Sequence, residues 1–225
     1  MNVSYYDEGN ELEGFFVKSG DKLPLVLLCH AWRGRDDFIE DKARHFASLG
    51  YNAFALDMYG KGVLGKNPEE NGALKMPFMK DRELLKRRVL KGYEKAKELL
   101  GDVPIVVLGY GFGGLVALDL ARLQVSLKGA ISVYGHFEEP PNGGKIETRV
   151  LIQQGYLDPV EPMDKLLSFL KTVKHFETLI IGDAYHGFTN PLANNQAGGI
   201  LYNPEAAQIS LDSIESFLKR AFQLG

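Results

Sequence analysis

The sequence predicts an α/β fold: a mostly parallel, twisted sheet with helices on both faces, entered through an antiparallel hairpin. Three observations predict it. Residues 2–6 and 11–18 alternate in polarity around the turn Asp7-Glu8-Gly9-Asn10, as a hairpin requires. Beyond them come short, nearly continuous apolar runs at 23–31, 51–58, 104–110, 129–135 and 149–155, with a more mixed run at 175–181. Runs without alternation suit strands covered on both faces. The segments between the runs carry helical spacing, and strand alternating with helix implies right-handed parallel crossovers.

Each helix has its own signals. In 36–49, Asp36 or Asp37 caps, Ile39, Ala43, Phe46 and Ala47 form one stripe, and Gly50 ends it. In 80–100, Leu85, Val89, Tyr93, Ala96 and Leu100 share a face. The last helix opens at Asn203-Pro204 and lays Ala207, Leu211, Ile214, Leu218 and Ala221 along its buried side. The cationic residues from Lys80 to Lys97 are interrupted by Asp81, Glu83, Glu94 and Glu98, which reads as a solvated helix face. Residues 60–79 and 187–203 read as long irregular connections that border a site.

A chain of 225 residues with 45% hydrophobic and 24% charged content suits one core, so a single domain over 1–225 is expected. With 26 Lys+Arg against 29 Asp+Glu, the net charge of −3 provides no field for nucleic acid or anionic membrane. The expected partner is a small molecule. The one cysteine, Cys29, cannot make an intramolecular disulfide or a cysteine-based zinc site, and neither metal nor cofactor is expected. With no basic-then-apolar leader and no run of about 20 apolar residues, the expectation is a soluble, cytoplasmic protein.

The strongest local signal is PIVVLGYGFGGLVALDLARL, residues 104–123, a buried strand running into a glycine-dense turn and an apolar helix. Gly109, Gly111 and Gly114 satisfy GxGxxG, where a helix N-terminus receives a pyrophosphate, with Glu138 as the ribose contact. Gly109, Gly111 and Gly113 equally satisfy the nucleophile elbow, Gly-x-nucleophile-x-Gly, with Gly111 in the nucleophile's place. An elbow requires an acid and then a histidine after later strands. Asp158 follows the run 149–155 and His186 follows 175–181, so strand ends converging on one crevice would bring Gly111, Asp158 and His186 together.

These motifs, with CHAWRG at 29–34, GYNAFALDMYGKG at 50–62, GYGFGG at 109–114, GYLDP at 155–159, AYHGF at 184–188 and YNPEAA at 202–207, resemble the dienelactone hydrolases (carboxymethylenebutenolidases) over essentially the full length. The resemblance implies an α/β-hydrolase-type three-layer sandwich and hydrolysis of a lactone or carboxylic ester. Family members carry a cysteine or serine between the first two elbow glycines, where this chain has Gly111, and commonly a glutamate where it has Ala31. Glycine supplies no lone pair for attack, so covalent catalysis is expected to be absent and activity weak or lost. Asp158 would orient His186, which would activate a water in the space left empty, and the N–H groups of Phe112 and Trp32 would form the oxyanion hole.

Two other functions compete with this one: a non-catalytic binding or regulatory paralogue that keeps the cleft, and a dinucleotide binder acting through GxGxxG. Arg33 and Arg35 are candidates to receive a substrate carboxylate, or else belong to a solvated loop. Tyr134 and His136 end a strand on the same edge; His30 and Trp32 line the cleft or support its loop. Cys29 reads as core, and His45 and His175 as structural.

Overall fold

In the computed structural model, which describes residues 1–138 and 144–223, eight strands form one sheet. β1 (Asn2–Asp7) and β2 (Asn10–Val17) are the antiparallel hairpin, joined across Glu8 and Gly9 at positive φ. β2 pairs antiparallel with β4 (Asn52–Leu56). From β4 the sheet is parallel, through β3 (Leu25–Cys29), β5 (Ile105–Tyr110), β6 (Gly129–Val133), β7 (Val150–Gly155) and β8 (Phe176–Ile181). The mixed composition of β8 has a simple cause: it is the edge strand, and it leaves Phe176 and Ile180 exposed.

The pleat sends alternate residues of each central strand to opposite faces. Leu25, Leu27, Ile105 and Val107 pack beneath α3 (Arg82–Leu100), α4 (Phe112–Arg122) and α5 (Met163–Leu170). Val26, Leu28, Val106 and Leu108 face α1 (Asp37–Ser48) and α6 (Pro204–Phe222). The result is the expected three-layer sandwich. Asp36 caps α1 and Asn203 caps α6, each through its side-chain oxygen.

Some local expectations are corrected. Residues 60–79 are not all irregular: α2 spans Pro68–Lys80, capped by Asn67, which accepts from the Glu70 N–H at 2.9 Å. Only Asn71 and Phe78 of this helix are buried, so no apolar stripe marked it. α5 is eight residues long and too short to show a period. The buried face of α6 is rotated from the expected one and carries Ala206, Ser210, Ile214, Phe217, Leu218 and Phe222. Two cations of the α3 face are not solvated: Arg82 bonds buried Asp119 at 2.6 Å, and Arg88 bonds buried Asp7 at 2.8 Å. Among the described residues, no helix is long and apolar enough to cross a membrane.

Because β3 and β5 to β8 run in parallel, the segments after their C-terminal ends meet along one edge. That edge holds Ala31–Arg35, Gly111, Tyr134–His136, Asp158–Glu161 and His186.

Candidate active site

The turn after β5 is built by close packing. A Cβ on Gly109 would fall 1.8 Å from the Gly113 carbonyl oxygen, and one on Gly113 would fall 2.1 Å from the Cys29 carbonyl oxygen. These glycines let α4 and β3 approach β5, and they face protein backbone. Gly111 differs. It sits at φ 55, ψ −117, a conformation strained for any residue bearing a Cβ, yet the space around it is open. A Cβ there would meet nothing closer than His186 Nε2 at 3.8 Å, with the Ala31 Cβ and Tyr134 Cδ2 at 3.9 Å. The Gly111 N–H already donates to the Val133 carbonyl at 3.0 Å, so it is not offered to a phosphate.

Facing that space is a histidine–carboxylate pair. His186 Nδ1–H donates to Asp158 Oδ2 at 2.8 Å, which leaves the Nε2 lone pair toward Gly111. Asp158 is buried and also accepts from Gln154 Nε2 at 2.9 Å and from the N–H groups of Val160 at 2.8 Å and Glu161 at 3.1 Å. Four donors fix its plane. The segment 187–203, with the small hairpin β9 (Asn194–Asn195) and β10 (Ile200–Leu201), holds the histidine backbone. His186 N–H donates to Gly199 and the His186 carbonyl accepts from Leu201, each at 3.0 Å.

The loop after β3 is pinned from both sides. Buried His30 donates from Nδ1 to the Ala31 carbonyl at 2.7 Å and accepts at Nε2 from the Met58 N–H at 3.1 Å; burial pushes its pKa down and keeps the ring neutral. Tyr59 donates to the Trp32 carbonyl at 2.9 Å. Among the described residues, neither the Trp32 N–H nor the Phe112 N–H donates a hydrogen bond.

The remaining candidates divide. Tyr134 walls the space, edge-on to the His186 ring at 5.2 Å, and its hydroxyl is bonded to Thr189 at 2.6 Å. His136 stacks on His186 with centroids 6.3 Å apart and is itself held by Glu161, at 2.6 Å from Nδ1. Arg33 and Arg35, from the loop after β3, line a separate depression of about 200 Å³ with Asp36, Asp37, Glu40 and Asp57, which includes neither Gly111 nor His186. Arg35 is ion-paired to both Glu13 and Glu40, and Arg33 reaches the Gly65 carbonyl and Asp36. A larger cleft of about 500 Å³ lies between α1, α6 and the turn at Thr189–Leu192. Cys29 is buried in the core, where desolvation drives its thiol pKa up and suppresses thiolate.

Sequence reasoning did not find Gln154, Glu161 or Lys75 near this edge. Gln154 read as part of a strand, Glu161 follows Asp158 without a motif, and Lys75 lies on the unrecognised α2.

A parallel sheet with this strand order, an elbow after β5 and a histidine–carboxylate pair from the later loops define the α/β-hydrolase class. Within that class, the chain belongs to the dienelactone hydrolase family, whose model matches residues 12–222. Among solved structures, it is similar to one described as m3DLH, at 25% identity over 99% of this chain and 98% of that one, with a TM-score of 0.88. It is likewise similar to the dienelactone hydrolase-like promiscuous phosphotriesterase P91 from metagenomic libraries, at 25% identity over 97% of each chain and a TM-score of 0.87. A putative dienelactone hydrolase from Klebsiella pneumoniae subsp. pneumoniae MGH 78578 matches in fold, at 19% identity over 100% and 98% of the two chains and a TM-score of 0.77. No curated protein matches the chain in sequence.

Proposed function

We propose that this chain binds small esters or lactones at the Gly111–His186 edge and hydrolyses them slowly, by a water and not through an acyl-enzyme. The observation that carries the reading is the 3.8 Å between His186 Nε2 and the position a Gly111 Cβ would take, a distance that suits a nucleophile's base with no nucleophile attached.

In this reading, Asp158 holds the imidazole with Nε2 free and stabilises the imidazolium once it forms. His186 removes a proton from a water in the open space as that water attacks the carbonyl carbon. The unused N–H groups of Phe112 and Trp32 receive the developing oxyanion. The carbon–oxygen bond to the leaving group then breaks, and the imidazolium returns its proton to the departing alkoxide. Remnants of this kind sustain about 10³–10⁴-fold acceleration over water when the nucleophile is gone. Tyr134 and His136 shape the wall. Arg33 and Arg35 are given no role in this reading, because their guanidinium groups are engaged by Asp36, Glu13, Glu40 and the Gly65 carbonyl.

The missing side chain also favours a second reading, a binding protein that keeps the cleft and has given up turnover. Restoring the nucleophile as Gly111→Ser or Gly111→Cys tests the first reading: hydrolysis of small aryl esters rises by orders of magnitude, and a folded variant as inert as the parent contradicts it. Thermal shifts with lactones and small carboxylates, together with no turnover in the parent, would select the second.

A further inference from the structure

Beside the first histidine–carboxylate pair stands another, and this one has an amine at its end. Glu161, 2% exposed, accepts from His136 Nδ1 at 2.6 Å, and His136 Nε2 lies 3.3 Å from Lys75 Nζ. With Nδ1 donating to the carboxylate, Nε2 carries the lone pair and the amine is the donor. Lys75 reaches the site from α2, is half-buried, and sits 5.9 Å from the centre of the Trp32 ring. Among the described residues, Lys75 Nζ makes no ion pair, its polar contact being His136, while Lys165 Nζ lies 3.7 Å from Glu161 Oε2. We propose that Glu161, His136 and Lys75 form a carboxylate–imidazole–amine relay, in which Lys75 is a nucleophilic amine that captures small aldehydes and ketones as an imine.

The chemistry requires no group the chain lacks. His136 Nε2 accepts a proton from Lys75 Nζ, and Glu161 flanks the resulting imidazolium, as carboxylates do in nucleophilic relays. The freed amine lone pair forms a bond to the carbonyl carbon while the carbonyl π pair moves to oxygen, which takes the proton back from His136. His136 Nε2 then passes one of the two nitrogen protons of the carbinolamine to its hydroxyl, which leaves as water, and the nitrogen lone pair closes the carbon–nitrogen double bond of a protonated imine. No oxidation or reduction occurs. The environment favours the free amine: burial pushes the Lys75 pKa down, against the upward pull of Glu138 and Glu161. Burial also pushes the His136 pKa down, opposed by its bond to Glu161, so the ring rests neutral and able to accept. The hydrolase reading does not enter this argument, and neither stands or falls with the other.

Lys42 supplies an internal comparison. Burial lowers its pKa too, and its amine packs over Phe38 and Tyr110, but no imidazole is bonded to it. The test is reductive alkylation of the whole protein near neutral pH with limiting propanal and cyanoborohydride, read as the labelling rate of each lysine by peptide mass mapping. Lys75 is expected to label several-fold faster than exposed Lys171. In His136→Phe, where burial is kept but the proton acceptor is lost, its rate falls well below the parental value, and in Glu161→Gln it falls part of the way, while Lys42 keeps its parental rate and reports an intact fold. If His136→Phe perturbs Lys42, Glu161→Gln decides. Lys75 labelling no faster than Lys171, or at an unchanged rate in a folded variant lacking the relay, overturns the proposal.

Discussion

Replacing Gly111 with serine should have two effects of opposite sign, and both follow from the local geometry. A serine Cβ fits, with no neighbour nearer than 3.8 Å, and its hydroxyl would extend from there toward His186 Nε2 into hydrogen-bonding range. Removing the nucleophile from a complete triad costs up to about 10⁶-fold in kcat. Restoring it should return at least about 10²-fold, equivalent to about 2.7 kcal/mol of barrier. Against this, φ 55, ψ −117 is free to glycine and strained for serine by about 1–3 kcal/mol. In a chain of this size each kcal/mol lowers Tm by about 2–4 °C, so a drop of roughly 2–12 °C is expected. Parent and variant would be compared by p-nitrophenyl acetate hydrolysis and by calorimetry. A variant that melts lower as expected but hydrolyses no faster would refute the elbow assignment.

Three further outcomes are expected. In the Gly111→Ser background, Asp158→Asn removes the charge that orients His186 and should abolish most of the gain in kcat that the serine brings, with little change in KM, measured by steady-state kinetics on the same ester. Gly113→Ala drives a methyl to 2.1 Å from the Cys29 carbonyl oxygen, so the backbones of β3 and α4 must part; a loss of more than about 3 kcal/mol is expected in urea unfolding, where Gly72→Ala, with open space around it, should cost nothing. His30 is kept neutral by burial, so below its unfolded pKa of about 6.5 the unfolded chain binds the extra proton and stability falls with falling pH, by up to about 1.4 kcal/mol per pH unit for one histidine. His30→Gln should flatten that slope between pH 6.5 and 5, read as ΔG of unfolding against pH.

Much of this fold was written in the apolar runs. The two-sided burial of β3 to β7 leaves unbroken stretches such as LVLLC and IVVLGY, and the hairpin shows itself by alternation and by Glu8-Gly9 at its turn. Elements that bury little were hidden. α2 has correct end signals in Asn67, Pro68 and Glu70, but its flanks are solvated and no stripe betrays it. The Asp158–His186 pair was legible because each residue follows a strand that ends on the same edge of the sheet. Glu161 and Lys75 were not: their meeting through His136 depends on where α2 and the turn after β7 lie in space, and no sequence spacing encodes it. The partners of the guanidinium groups were hidden for the complementary reason. Arg33 and Arg35 lie in the loop after β3, yet Arg35 is ion-paired to Glu13 and Glu40, which are distant from it or unmarked in the sequence.

The most direct test of hydrolysis by an activated water is the residual reaction of the parent chain itself, followed through its first turnover with p-nitrophenyl acetate, alongside His186→Ala. An activated water gives slow release of p-nitrophenol with no burst, abolished by the histidine substitution. A burst approaching one equivalent per chain, or release that persists unchanged without the imidazole, would contradict it.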